Sequence, residues 1–362
     1  MSEPVPHVLV ARLDSAGDVL LTGPTVRAIA ASGARVTYAC GPAGRAAAEL
    51  LPGVDSVVEL DAPWVPLEPR AFDGREIDRF VAHLAADPPD QAVICTSFHQ
   101  SPLPLALLLR MAGVTTIAAS SEDHPGALVD QRRRPEQDEH VHEVERSLRL
   151  AAMLGYRLAP ADGGGLAVRR PLQSTPALGA GYAVVHPGAS VPARGIPAAT
   201  ARGLVARLAD RGHWVVVTGG PAEQELVRRV ADVERDGVVA LTQPVSLAAL
   251  AGVLDRAAVV VTGNTGPAHL AAAVGTPVVS VFAPVVERHR WEPWRVPSVV
   301  LGDQTVPCAG CRAGSCPLPT QICLAPVTAE ALTDAAERWL GSPAQGRKGA
   351  DQGRSPELAA QP

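Results

Sequence analysis

His7-Val-Leu-Val-Ala-Arg-Leu13 runs directly into Asp14-Ser-Ala-Gly-Asp18 and then into an apolar-periodic stretch from Val19 to Ala31. A short apolar run, a tight polar turn and a helical period in that order read as strand, loop and helix. The alternation continues outward. Apolar runs at Arg35-Val-Thr-Tyr-Ala-Cys40, Ser56-Val-Val-Glu-Leu60, Gln91-Ala-Val-Ile-Cys95 and Val114-Thr-Thr-Ile-Ala118 are separated by helical stretches such as Arg75–Ala85 and Pro104–Met111. Strands alternating with helices predict a parallel sheet covered on both faces. The polar stretch Glu122–Glu139, with its run Arg132-Arg-Arg-Pro, reads as a mobile surface loop, and a helix is expected from about His142 to Leu154.

A second series begins at Tyr182-Ala-Val-Val-His186. It continues through a helix at Ala198–Asp210 to strands at Trp214–Thr218, Val259–Thr262 and Val278–Phe282, and ends in a helix at Ala329–Leu340. The expected organisation is a first domain over residues 1–160, a Gly/Pro/Ala-rich linker over 161–178 and a second domain over 179–341, with the last helix a candidate to return to the first domain. The polar Gly/Pro-rich stretch 342–362 reads as a disordered tail. The 362 residues suit two cores of ordinary size.

Composition excludes several classes of function. A formal charge of −5 offers no basic field for nucleic acid. No uninterrupted apolar run is long enough for a transmembrane helix, and the start of the chain lacks the pattern of a signal peptide, so a cytoplasmic protein is expected. Lys348 is the only lysine, so a cationic side chain gripping phosphate must be arginine.

In open α/β sheets, ligands bind beyond the carboxyl ends of strands, where helix N-termini offer free N–H groups to anions. In the loop Leu13–Val19, Asp18 is either the N-cap of the next helix or a carboxylate free to act as general base toward a hydroxyl. The loop His186-Pro-Gly-Ala-Ser-Val-Pro-Ala-Arg-Gly-Ile-Pro197 combines Gly188, Ser190 and Arg194, a composition suited to a diphosphate, though an exposed loop arginine is the plain alternative. The Gly-rich turn Val261–Pro277 carries Asn264, Thr265, Gly266 and, on the helix behind them, His269, which is either packed core or a ligand contact. Thr218-Gly-Gly-Pro-Ala-Glu223 places Glu223 to accept from ribose hydroxyls or to start a helix. Neither a Walker lysine loop nor an Asp-x-Asp metal motif is present, which favours metal-independent chemistry. Cys308, Cys311, Cys316 and Cys323 have a spacing that could supply thiolates to a structural metal, and packed or free thiols are the alternative.

Four motifs together, R-L-x-S-x-G-D-V-x-L-T-x-P, H-P-G-A-S-x-x-x-[KR], T-G-G-P-x-E and G-N-T-G-P-x-H-L-A-A-A-x-G-T-P, resemble those of glycosyltransferase family 9, the ADP-heptose:lipopolysaccharide heptosyltransferases, over roughly residues 7–340. The resemblance implies a GT-B fold, with two Rossmann-like parallel-sheet domains facing a cleft, the first binding the acceptor and the second the sugar nucleotide. It implies an inverting, metal-independent transfer of a sugar, with heptose from ADP-heptose the favoured donor, to a saccharide, glycolipid or other hydroxyl acceptor in lipopolysaccharide or glycan biosynthesis. No cofactor is required, and contact with a membrane would be peripheral, through a lipid-linked acceptor. Asp18 matches the family's catalytic base. Ser190 and Arg194 match its phosphate-binding pair, Glu223 an acid near the nucleoside, and Asn264, Thr265, Gly266 and His269 the loop at diphosphate and sugar. Arg194 stands where many members carry Lys, and Asn264 where many carry Asp. His99 is a further candidate for the acceptor. The alternatives from other classes are a non-catalytic nucleotide-sugar-binding protein and a GT-B epimerase or hydrolase.

Overall fold

β1 (His7–Arg12) is buried along its whole length, as a central parallel strand covered on both faces must be. It is followed by α1 (Ala16–Leu21), α2 (Gly23–Ala30), β2 (Arg35–Cys40), α3 (Arg45–Leu50), β3 (Ser56–Glu59), α4 (Gly74–Ala85), β4 (Gln91–Ile94), α5 (Leu103–Met111), β5 (Thr116–Ser120), β6 (Gln131–Arg133) and α6 (Glu143–Met153). The strands form one parallel sheet in the order β3-β2-β1-β4-β5-β6. The computed structural model describes residues 5–66, 71–97, 100–138, 140–172, 178–232, 235–243 and 245–341. The tail expected over 342–362 lies outside the described residues.

The second series is β7 (Tyr182–His186), α7 (Ala198–Asp210), β8 (Val215–Val217), α8 (Gln224–Ala231), β9 (Val238–Ala240), α9 (Leu247–Asp255), β10 (Ala257–Gly263), α10 (Gly266–Val274), β11 (Val278–Val281), α11 (Arg288–Trp291), β12 (Ser298–Leu301) and α12 (Ala329–Glu337). Its sheet is also parallel, in the order β12-β11-β10-β7-β8-β9. The two sheets repeat one winding. In each, the first strand of the series lies between the second and the fourth, so the strand order reverses beside it. The crevice of each unit is therefore expected beyond the carboxyl ends of β1 and β4 in one, and of β7 and β10 in the other.

The chain separates into two units, divided at Arg169/Arg170, with the short stretch His289–Trp294 counted in the first although the chain on both sides of it belongs to the second. That stretch is pinned by His142, whose ring stacks on Trp294 at 4.4 Å and shares a hydrogen bond of 3.0 Å with the Glu292 carbonyl. Burial pushes the His142 pKa down. The last helix is part of the second unit. α12 packs on α7, where Gly203 lets the helices approach so closely that an added Cβ would stand 2.9 Å from Ala329 Cβ.

Two local expectations are corrected. The single helix from Val19 to Ala31 is broken into α1 and α2, because Pro24 has no N–H to give the Leu20 carbonyl and its ring would crowd that group. Thr22, at the break, bonds the Val19 carbonyl at 2.7 Å and the Tyr38 hydroxyl at 2.6 Å. The arginine run is no loop. Arg132 and Arg133 lie in edge strand β6, and Arg133 and Arg149 both hold the fully buried Asp138 carboxylate, at 2.6 and 2.7 Å. The short outer strands β9 and β12 also escape the sequence pattern, since a strand of three or four residues at an edge buries too little to show a period.

Candidate active site

In the first unit the carboxyl ends of β1 and β4 carry a buried cluster of charges. Arg12, the last residue of β1, is 3% exposed. Its guanidinium meets Asp14 at 2.5 Å, Asp18 at 2.9 Å and Glu143 at 3.4 Å, and donates to the Ser97 hydroxyl at 2.9 Å. Burial alone would lower the Arg12 pKa, but the three carboxylates outweigh it and raise it, so the side chain stays charged. Asp14 also accepts from Ser97 at 3.1 Å and from the Gln100 amide. Burial pushes its pKa up against the pull of Arg12. Glu143, at the start of α6, spreads its second oxygen between Arg146 at 3.4 Å and Arg290 at 3.6 Å. Burial lifts the neighbouring Cys95 thiol to about 11, so it stays protonated.

Asp18 is the most open of these carboxylates, its side chain 20% exposed against 8% for Asp14 and 2% for Glu143. It is not the helix cap. Ser15 is the N-cap of α1, and its hydroxyl donates to the second Asp18 oxygen at 2.8 Å. Asp18 is thus fixed on one oxygen by Arg12 and on the other by Ser15, with part of the carboxylate still reachable. A carboxylate held this way can accept a proton from a hydroxyl placed beside it.

In the second unit the corresponding ends are built mainly from backbone. Gly263, the last residue of β10, lies under the Arg194 main chain, and an added Cβ would stand 2.0 Å from the Arg194 carbonyl oxygen. The Ser190–Arg194 turn and the Asn264–Gly266 turn are therefore neighbours. Ser190 is exposed, Arg194 and Thr265 are half-buried, and Asn264 and His269 are buried. Thr265 is the N-cap residue of α10, with Gly266 the first helical position, so this helix start stands beside the arginine turn. Glu223 joins the loops after β7 and β8. One of its oxygens accepts from Gly220 N–H at 2.6 Å and meets His186 at 3.5 Å, while the other occupies the space over Gly188, where a Cβ would be 2.1 Å away. The hydrogen bond from His186 and then that from Gly220 hold the Glu223 carboxyl below its usual range, against an opposing push from burial. His99 lies outside the described residues.

Several residues at these sites carry no sequence signal. Arg12 belongs to the quoted motif yet has no role in that reading. Glu143 and Arg290 are distant in sequence from what they touch. The cysteine-bearing segment turns out to support the arginine turn, for Gln321 donates to the Ala193 carbonyl at 2.7 Å and the Gly314 carbonyl accepts from Ala193 N–H at 3.0 Å. The cysteines themselves are free, with Cys308 and Cys311 exposed and Cys323 buried. Burial raises the Cys323 pKa. Among the described residues no three His, Cys, Asp or Glu side chains stand where they could hold a metal ion.

A sequence model of glycosyltransferase family 9 (heptosyltransferase) matches residues 99–321. The chain belongs to this family. Lipopolysaccharide heptosyltransferase 3 of Escherichia coli is 34% identical over 94 residues, which is 25% of this chain and 27% of that relative, so the chain matches about a quarter of the relative's length. The fold extends further. A glycosyltransferase family 9 protein from Veillonella parvula superposes with a TM-score of 0.74 at 18% identity, covering 94% of this chain and 98% of the other. The E. coli heptosyltransferase WaaC, solved with ADP-2-deoxy-2-fluoro heptose, gives 0.67 at 24% identity over 92% and 99%. The GT-B heptosyltransferase fold is therefore shared by nearly the whole of this family 9 chain. None of the described helices is long and apolar enough to cross a membrane.

Proposed function

We propose that this chain transfers a glycosyl group from a nucleoside diphosphate sugar to a hydroxyl acceptor, with inversion and without a metal, and that Asp18 is the base. The observation that carries the reading is the state of Asp18 at the carboxyl end of β1, gripped by Arg12 and Ser15 yet the most open carboxylate of its cluster. Asp18 takes the proton of the acceptor hydroxyl as that oxygen attacks the anomeric carbon. The bond from that carbon to the diphosphate breaks on the opposite face, and the diphosphate leaves with the electron pair. Its developing charge falls to Arg194, Ser190 and the N–H groups at the start of α10, which can carry it without a divalent cation. Glu223, Asn264 and His269 complete the donor side, and the first unit takes the acceptor.

The donor proposed is ADP-heptose, supported by the ADP-heptose analogue held by WaaC. Asn264 offers a neutral amide where a carboxylate would bind sugar hydroxyls more strongly, so selectivity for heptose rests on the rest of the pocket. The acceptor class is a saccharide or glycolipid, and the chain acts in the cytoplasm, meeting a membrane only through a lipid-linked acceptor.

The test is Asp18→Asn, assayed for ADP release from ADP-heptose and, separately, for ADP binding by thermal shift. Turnover should fall about 10²–10⁴-fold with the ADP-induced shift kept. A variant that retains most of its turnover removes Asp18 from this role.

A further inference from the structure

Three carboxylates, Asp14, Asp18 and Glu143, share buried ground with three guanidinium groups, Arg12, Arg146 and Arg290. These formal charges balance, which is the condition under which so many ions can be buried together. The balance is arranged as a chain. Arg290 and Arg146 meet one oxygen of Glu143, Arg12 meets the other, and Arg12 in turn meets Asp18. Asp18 is the more open of the two carboxylates in it. Glu143 stands in the middle of this chain and is joined to Asp18 through Arg12.

We propose that Glu143 and Arg290 are positioning residues that set the proton affinity of Asp18 from opposite sides, both acting through Arg12. A guanidinium placed on a carboxylate alone makes it a weak base. Glu143 draws part of the Arg12 charge away from Asp18 and so keeps Asp18 basic. Arg290 neutralises Glu143 and limits that effect. The stretch that supplies Arg290, His289–Trp294, is counted with the first unit although its neighbours in the chain belong to the second. It is held there by the His142–Trp294 stack and the Glu292 carbonyl, so Arg290 arrives on an anchored segment.

Titratable or charged groups around the cluster include Arg12 on β1, Asp14 in the following loop, Cys95 after β4 and Arg146 on α6. Ser15, Ser97 and Gln100 add neutral hydrogen bonds. The variants below leave each of these residues in place, so the expected sign of each effect follows from the charge removed. Loss of the Glu143 charge leaves Arg12 more fully on Asp18 and lowers its pKa. Loss of the Arg290 charge leaves Glu143 stronger and raises it.

This inference rests on Asp18 as the base for its functional meaning, but its test needs no substrate. The full chain is labelled with ¹³Cγ-aspartate, the Asp18 resonance is assigned by its disappearance in Asp18→Asn, and its midpoint is followed by NMR against pH. Glu143→Gln should lower the midpoint by about half a pH unit and Arg290→Gln should raise it by a smaller amount, while Arg290→Lys leaves it in place. Displacements in the same direction, as a general loosening of the site would give, overturn the proposal, and so do midpoints that do not move. Should Glu143→Gln fail to fold, the Arg290 pair decides alone, and equal midpoints for Gln and Lys overturn it. If Asp18→Asn keeps its turnover, the base assignment falls while the titration result stands.

Discussion

The two units place their working residues at the same point of the same winding and build them from different material. In the first, the ends of β1 and β4 hold side-chain charges, with Arg12 clamping Asp14, Asp18 and Glu143. In the second, the ends of β7 and β10 hold turns whose main chains touch, Gly263 lying beneath Arg194 and Gly188 beneath the Glu223 carboxylate. Moving a proton needs a carboxylate of set basicity, and that demands neighbouring charges. Holding a diphosphate needs N–H groups at close range, and that demands glycine where a side chain would stand in the way. On the proposed function, one topology supports two kinds of site.

The comparison breaks most visibly if the charge balance is removed. Arg12→Leu leaves Asp14, Asp18 and Glu143 without their shared cation, and should cost the first unit about 3–5 kcal/mol, read as a lowered thermal midpoint or loss of folded protein. Gly263→Ala attacks the other site through space alone. The added methyl must push the Arg194 turn off β10, costing about 1–3 kcal/mol, and ADP affinity by calorimetry should fall by about tenfold or more while Asp18 titrates as before.

Smaller changes sharpen the contrast. Gln321→Leu removes one hydrogen bond from the back of the arginine turn, so ADP binding should weaken by about two- to tenfold with little change in thermal midpoint. The smallest effect expected is a pH dependence. Because the folded-state pKa of Glu223 lies below its ordinary value of 4.5, the carboxylate stabilises the fold above that value, and the contribution is lost as the pH falls through 4.5 toward the folded-state pKa. Glu223→Gln should therefore narrow the difference between urea midpoints measured at about pH 6 and about pH 4. An unchanged difference would mean that His186 and Gly220 do not favour the charged form.

Much of this is legible in the chain itself. The strands at the centre of each sheet announce themselves because they are buried on both faces and read as unbroken apolar runs, as His7–Arg12 and Tyr182–His186 do. The glycine turns announce themselves because backbone conformation and close approach restrict residue type locally. The break at Pro24 was open to reading as well, since proline acts on the turn immediately before it. Edge strands β6, β9 and β12 were not, because they are short and half-exposed.

The sequence by itself determined two parallel-sheet units, the family, and the loops that end in Asp18, Arg194 and Asn264, because periodicity and turn chemistry are properties of neighbouring residues. Only the tertiary structure decided what surrounds those loops. Arg12 meets Glu143 across 131 positions of chain, and Gln321 meets Ala193 across 128. Electrostatic and hydrogen-bond partners are chosen by distance in space, and no local pattern records such a distance. Asp18 shows the division plainly: its place at the start of a helix was written in the sequence, and the charges that surround it were brought to it by folding.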